Sequence, residues 1–471
     1  MPFVIGSVLN VLFFLPVSTF YLSLSDFGVY ALVLIIFSSI GSISSAGTRN
    51  VISGNYFEIP NKDRYALIAG TLIVEFILQI LVALLLFTFD EVLLRLIFNN
   101  EYKSEYMIYY HIMILSYFFG AIRPSITFLA SIREDPLFYN LIELSNIITR
   151  ILLTVLFLSV FNYGLKSLFI GYFFSNLVSF ILGIIYIKNI KGRCQKFNSR
   201  YIKDALNALR IMSWSNMSDV IYKASSIMLV NAFSGLSSLG LYSHSLMYKN
   251  IFVQGGTVVG RVISPEAMKI ISNNKEKKDL VRLMKFTGMI ITIFGVVLSF
   301  YAKDFVRLIS NDVFTSAYVL IVPWLIMIYP GLAWNKDVYS LYIAKDNRYI
   351  SNINIFSNLL SILLMVFLGF LFGMYGVVVS VIIGRFVFRT LIHFRAKKSN
   401  KYISVNNLSY LYSAVFVLTL YSSLIYFDVH EYRHTMFSIS LFIVFYCYRE
   451  VLITIKSYLF KYKVYCITWY G

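Results

Sequence analysis

Leu67-Ile-Ala-Gly-Thr-Leu-Ile-Val-Glu-Phe-Ile-Leu-Gln-Ile-Leu-Val-Ala-Leu-Leu-Leu-Phe-Thr-Phe89 decides what kind of chain this is. The run is long enough to cross a bilayer, which takes roughly 20 apolar residues, and it holds one acid, Glu75. It is continuous, without the short alternating segments of a transmembrane barrel. Comparable runs recur along the chain. Of its 471 residues 58% are hydrophobic, enough for about 14 such spans. Charged residues make up 14%, against roughly 25% in soluble domains. These figures exclude a soluble enzyme, a disordered chain and a single-span receptor. They predict an all-α polytopic membrane protein with short loops.

Hydropathy places the spans at 3–21, 28–46, 66–88, 107–131, 141–160, 165–187, 211–233, 241–260, 286–302, 317–334, 350–372, 374–394, 406–427 and 434–451. The basic residues are distributed unequally between the two sides. With span ends counted in the adjoining connection, the even-numbered connections and the C-terminal tail carry 31 Lys and Arg, the odd-numbered ones 6. Such an excess marks the cytoplasmic side and predicts that both termini are cytoplasmic. It also accounts for the net charge of +18 without nucleic acid, because basic loops face anionic headgroups. The first basic residue is Arg49, so the start lacks the positive region of a cleavable signal. Cys194, Cys447 and Cys466 and the five histidines are scattered; neither a disulfide framework, a metal site nor a cofactor is expected.

The chain repeats itself at an offset of 211 or 212 residues. Ser25-Asp-Phe-Gly-Val-Tyr30 matches Ser237-Ser-Leu-Gly-Leu-Tyr242, Arg49 falls on Arg261, and Val51-Ile-Ser53 on Val262-Ile-Ser264. Gly120 falls near Gly331 and Asp135 near Asp346, Ser145-Asn146 on Ser357-Asn358, and Tyr163-Gly164 on Tyr375-Gly376. Each copy holds six spans, an even number, so the copies run parallel about an axis along the membrane normal. The expected domains are an N-terminal six-helix lobe over 1–190, a basic linker over 191–210, a second six-helix lobe over 211–400, and two further helices with a cytoplasmic tail over 401–471. Two such bundles suit alternating access to a cargo site.

The stretch Leu22-Ser-Leu-Ser-Asp-Phe-Gly-Val-Tyr-Ala-Leu32, after a short apolar helix containing Pro16, resembles the start of bacterial polysaccharide repeat-unit flippases. These are the Wzx-type O-antigen and capsule exporters of the multidrug/oligosaccharidyl-lipid/polysaccharide superfamily. Gly235-Leu-Ser-Ser-Leu-Gly-Leu-Tyr-Ser243 resembles the start of their second half, and Ser264-Pro-Glu266 the exit from their eighth span. The resemblance covers about residues 1–400 and implies a MATE-like fold in the inner membrane. It implies a reaction without bond making: translocation of undecaprenyl-pyrophosphate-linked glycan, coupled to an ion gradient. The partners it implies are a polysaccharide polymerase and a chain-length regulator. Many relatives carry an acid in the seventh span where this chain has Ser225-Ser226, and the nearest acid here is Asp219.

Such a cargo needs cations for its pyrophosphate, because a bare charge in hydrocarbon is costly. The expected intramembrane charges are Glu75, Arg123, Glu143, Arg150, Asp219, Lys223 and Lys249. Arg123, Arg150, Lys223 and Lys249 are the candidate cargo ligands; Glu75 and Asp219 are the candidate coupling-ion residues. Arg150, Lys223 and Lys249 have apolar repeat equivalents in Ile362, Val11 and Phe37, as expected of a cargo-specific feature. Helix-face spacing offers a blander alternative, with Asp219 neutralising Lys223 and Glu143 neutralising Arg150. Arg123 precedes Pro124, which predicts a helix interruption. Gly255-Gly-Thr-Val-Val-Gly260 follows no strand and reads as close helix packing. Rival functions are a multidrug exporter, a peptidoglycan-precursor flippase and a polysaccharide polymerase. A polymerase needs a large external loop, and the longest external connections, around 88–106 and 301–317, carry no catalytic set.

Overall fold

The computed structural model describes residues 2–38, 64–98, 101–120, 122–189, 199–272, 277–327, 337–338, 340–341, 344, 346–399, 408–427 and 433–449. Among them every regular element is helical. The first span is α1 (Pro2–Leu9), a π-turn (Asn10–Phe14) and α2 (Leu15–Tyr21). There follow α3 (Leu24–Ser38), α4 (Arg64–Thr88), α5 (Asp90–Phe98), α6 (Tyr106–Gly120) and α7 (Arg123–Ile132). Next come α8 (Pro136–Ser159), α9 (Lys166–Asn189), α10 (Ser199–Ser272) and α11 (Lys277–Ile309). A 3₁₀ turn (Asp312–Ala317) leads into α12 (Tyr318–Ile326), followed by α13 (Asn347–Ala396), α14 (Leu408–Phe427) and α15 (Arg433–Cys447).

Seven helical stretches are long and apolar enough to cross a membrane, and five shorter apolar helices accompany them. Two of the seven are double. α10 is broken at Gly235 (φ 76°) and α13 at Gly373 (φ 57°), a left-handed region that residues with a Cβ avoid. Each expected span thus has a helical counterpart, and the chain is a polytopic membrane protein. Large apolar side chains such as Leu152 in α8 and Phe442 in α15 stand 62% and 71% exposed, a surface suited to lipid rather than water.

Helix ends depart from the hydropathy limits. α11 extends to Ile309, past the expected end at 302, and the 88–106 connection contains α5. Both extensions are amphipathic, so a hydropathy window stops where the helix does not. Arg49, Val51–Ser53, Cys194, Cys466 and the tail beyond 449 lie outside the described residues.

The chain packs as two compact units: Met1–Met247 with Ile309–Phe314 and Asn354–Val381, and Tyr248–Leu308 with Thr315–Ile353 and Ile382–Gly471. This is a division by packing, distinct from the division by repeat. In the first unit Ile68 and Leu72 of α4 pack on Ile126 and Leu129 of α7 and Tyr186 of α9. The two copies of the turn motif also meet there. A Cβ on Gly28 would run into the carbonyl of Leu236, and one on Gly240 into that of Leu24. In the second unit Leu341 packs with Phe388, Ile392 and Ala396, and Tyr421 donates to the Tyr318 carbonyl at 2.8 Å.

Candidate functional site

Four elements of the first unit converge on Arg150. It lies mid-way along α8, whose start is fixed by Asp135, which accepts from Phe138 N–H, with Pro136 at the first helical position, where no N–H is needed. Arg150 Nη2 donates to Asn10 Oδ1 and Nη1 to Tyr172 Oη, both at 2.8 Å. The guanidinium carbon sits 4.8 Å from the Tyr172 ring centroid, a favourable cation–π geometry. Tyr30, the tyrosine of the turn motif, stands 6.1 Å from Tyr172 between ring centroids. Among the described residues no acid pairs with Arg150. Glu143, one of the two local partners expected, is buried elsewhere on α8.

A hydrogen-bonded seam continues from this point. Asn146 Nδ2 donates to the Ser175 carbonyl at 3.0 Å and to Ser179 Oγ at 3.0 Å. Asn176 Nδ2 donates to Ser116 Oγ at 2.9 Å. Gly171 allows α9 close to α8, since a Cβ there would strike Thr154 Oγ1.

Asp219 occupies a second polar centre in the same unit. Its Oδ1 accepts from Asn354 Nδ2 at 3.0 Å and Asn358 Nδ2 at 2.8 Å. Asn358 Nδ2 also donates to Ser218 Oγ at 2.7 Å. Lys223 is exposed, and among the described residues it forms no ion pair with Asp219. Both local pairings are therefore replaced by longer-range hydrogen bonds. The reason is steric as much as electrostatic: helix-face spacing brings Cβ atoms near, while the neighbouring helix offers better-directed partners.

The remaining candidates are dispersed. Glu75 is fully buried in α4, as is Gln79 one turn on. Arg123 begins α7 after a break from α6 at Gly120, as Pro124 predicts, and its Nε is buried without a hydrogen-bond partner. Lys249, in the second unit, lies 4.4 Å from the ring centroid of buried Trp324. Gly255–Gly260 lie inside α10.

Sequence reasoning missed Asn10, Tyr172 and Asn354 and named Asn358 only as a repeat match; all are distant in sequence from the charges they hold. It also passed over two histidines. His244 is fully buried, with Nε2 3.0 Å from Ser310 Oγ and its ring beside Phe27 and Phe314. His393 Nδ1 lies 2.7 Å from Oδ2 of buried Asp337 in the second unit.

The chain is similar to a structure titled "Lipid II flippase MurJ, inward closed conformation", with a TM-score of 0.68, 14% identity, and 98% of each chain covered. It is also similar to an inward-facing multidrug resistance MATE family transporter of the MOP superfamily, with a TM-score of 0.62, 13% identity, and 90% of this chain and 95% of that one covered. A third is a MOP superfamily transporter from Pyrococcus furiosus, whose title speaks of a binding pocket of reverse polarity; here the TM-score is 0.61, at 13% identity, with 89% of this chain and 94% of that one covered. No curated protein matches the chain in sequence. Residues 21–322 match the polysaccharide biosynthesis protein family, and the chain belongs to that family.

Proposed function

We propose that the protein is a flippase that moves a polyprenyl-pyrophosphate-linked glycan, an O-antigen or capsule repeat unit, across the bacterial cytoplasmic membrane by alternating access. The observation that carries this reading is the pairing of a polysaccharide biosynthesis family match over 21–322 with the fold of a lipid II flippase. The matched proteins' titles speak of flippases and transporters, and bond-making chemistry is not part of the proposal.

Arg150 supports an anionic cargo. It is held by neutral groups, Asn10 and Tyr172, which leave its charge for a phosphate. An exporter of cationic drugs would place acids there. Arg123 and Lys223 are proposed as further cargo contacts in the same unit, and Lys249 as one in the other unit. For ion coupling, the Asp219 carboxylate, oriented by the Asn354 and Asn358 amide N–H groups, is the hard oxygen donor of the kind that suits alkali or alkaline-earth cations, and buried Glu75 offers a proton carrier.

The test is removal of the gene followed by extraction of lipid-linked intermediates. Complete repeat units accumulating on the inner leaflet, with surface polysaccharide lost, support the proposal. Unchanged surface polysaccharide, or intermediates that are truncated, refute it.

A further inference from the structure

Pro16 has no N–H, and a proline ring crowds the carbonyl four residues back, here that of Leu12. The first helix responds by widening. Asn10–Phe14 form a π-turn, and Leu15 N–H donates to the Asn10 carbonyl, five residues back. Such turns inside α-helices occur frequently at functional sites. At the start of this one, the Asn10 side chain accepts from Arg150, 140 residues away in sequence.

The choice of partner is informative. A carboxylate at position 10 would fix the guanidinium in an ion pair. An amide oxygen orients it but competes poorly with an anion, because the anion adds a full opposite charge to the same hydrogen bond. Tyr172 holds Nη1 and backs the guanidinium with its ring, so Arg150 keeps its direction if Asn10 lets go. Asn10 is thus the exchangeable ligand and Tyr172 the fixed one. Asn10 also lies in the first span, whereas Arg150 and Tyr172 lie in α8 and α9.

We propose that Asn10 is a positioning residue that a phosphate of the cargo displaces from Arg150, so that cargo binding removes the polar tie between the π-turn of the first helix and α8. This rests on the reading of Arg150 as a cargo ligand. Loading then has a mechanical consequence: the π-turn, already without a standard helical bond at Pro16, loses its lateral support.

The experiment uses the purified full-length protein in nanodiscs, with inorganic pyrophosphate as the first probe and polyprenyl pyrophosphate as the second. Binding is measured for the wild type, Asn10→Ala, Asn10→Asp and Arg150→Ala. Asn10→Ala should tighten binding about tenfold or more, the equivalent of one hydrogen bond to a charged group no longer competing. Asn10→Asp should weaken it about tenfold or more, since it supplies a competing charge. In the wild type, either probe should speed amide exchange over residues 10–16, and Asn10→Ala should already exchange at that faster rate. Shifts of the same sign in both Asn10 variants, or exchange over 10–16 that ignores the probes, would overturn the inference. If Arg150→Ala abolishes binding while the Asn10 variants behave like wild type, the cargo reading stands and only the role of Asn10 falls. If Arg150→Ala binds normally, both fall. Should Asn10→Asp fail to fold, the exchange measurement on the wild type decides alone.

Discussion

Gly28 and Gly240 occupy equivalent positions in the two repeats and pack reciprocally, each where a Cβ would strike the backbone of the other copy's turn, at Leu236 and Leu24. Leu24 and Leu236 are themselves repeat equivalents. The turn motif that first drew notice in the sequence therefore has a packing role: glycine permits two backbones to cross.

Valine at either glycine should force the crossing apart. Overpacking of this kind costs about 1–3 kcal/mol. Gly28→Val and Gly240→Val should each lower the thermal unfolding midpoint in detergent. The double variant should cost less than the two single effects combined, because both act on one contact. Unchanged midpoints in both single variants would contradict the close approach.

Asp219 should matter for its distant partners and not for Lys223. Loss of a hydrogen bond to a charged group costs about 1.5–3 kcal/mol, so Asn358→Ala should lower membrane abundance or thermal stability. Lys223→Ala should leave abundance unchanged, and Asp219→Asn should add no rescue to it. Immunoblotting of membranes reads all three. In the same series Asp219→Asn should blunt the dependence of export on the ion gradient.

The cations should separate cargo handling from folding. Arg150→Ala and Lys249→Ala should reduce surface polysaccharide several-fold or more with protein level maintained, while Arg150→Lys restores only part, since a lysine cannot reproduce the guanidinium fork. Normal export from Arg123→Ala, Arg150→Ala, Lys223→Ala and Lys249→Ala at normal abundance would remove the proposed cargo site and leave the flippase assignment intact.

Topology follows from the distribution of basic residues. Reporter fusions after Arg200, Lys277 and Lys398 should all read cytoplasmic, and cysteines placed at the Gly235 and Gly373 turns should label from outside. A periplasmic signal at any of the three fusion points would break the arrangement.

The helical spans were largely legible in the sequence because hydropathy is a one-dimensional signal. Apolar length marks a span whatever it packs against, and the glycine at 235 sits where the motif puts it. The partners of the charges were not legible. Helix spacing points from Arg150 to Glu143 and from Asp219 to Lys223, whereas the structure uses Asn10 and Tyr172 for one and Asn354 and Asn358 for the other. Local period reports which face a residue occupies and is silent on which helix comes to meet it. Pro16 was visible, but the π-turn it induces becomes meaningful only through a residue 140 positions away.

The most direct measurement of the central claim is translocation itself. The purified protein would be reconstituted into vesicles carrying a polyprenyl-pyrophosphate-linked oligosaccharide in one leaflet, with an impermeant glycosidase reporting arrival in the other. Transfer by the wild type, strongly reduced by Arg150→Ala, is the expected result. Vesicles in which the wild type moves no lipid-linked glycan, or in which Arg150→Ala moves it as fast, would contradict it.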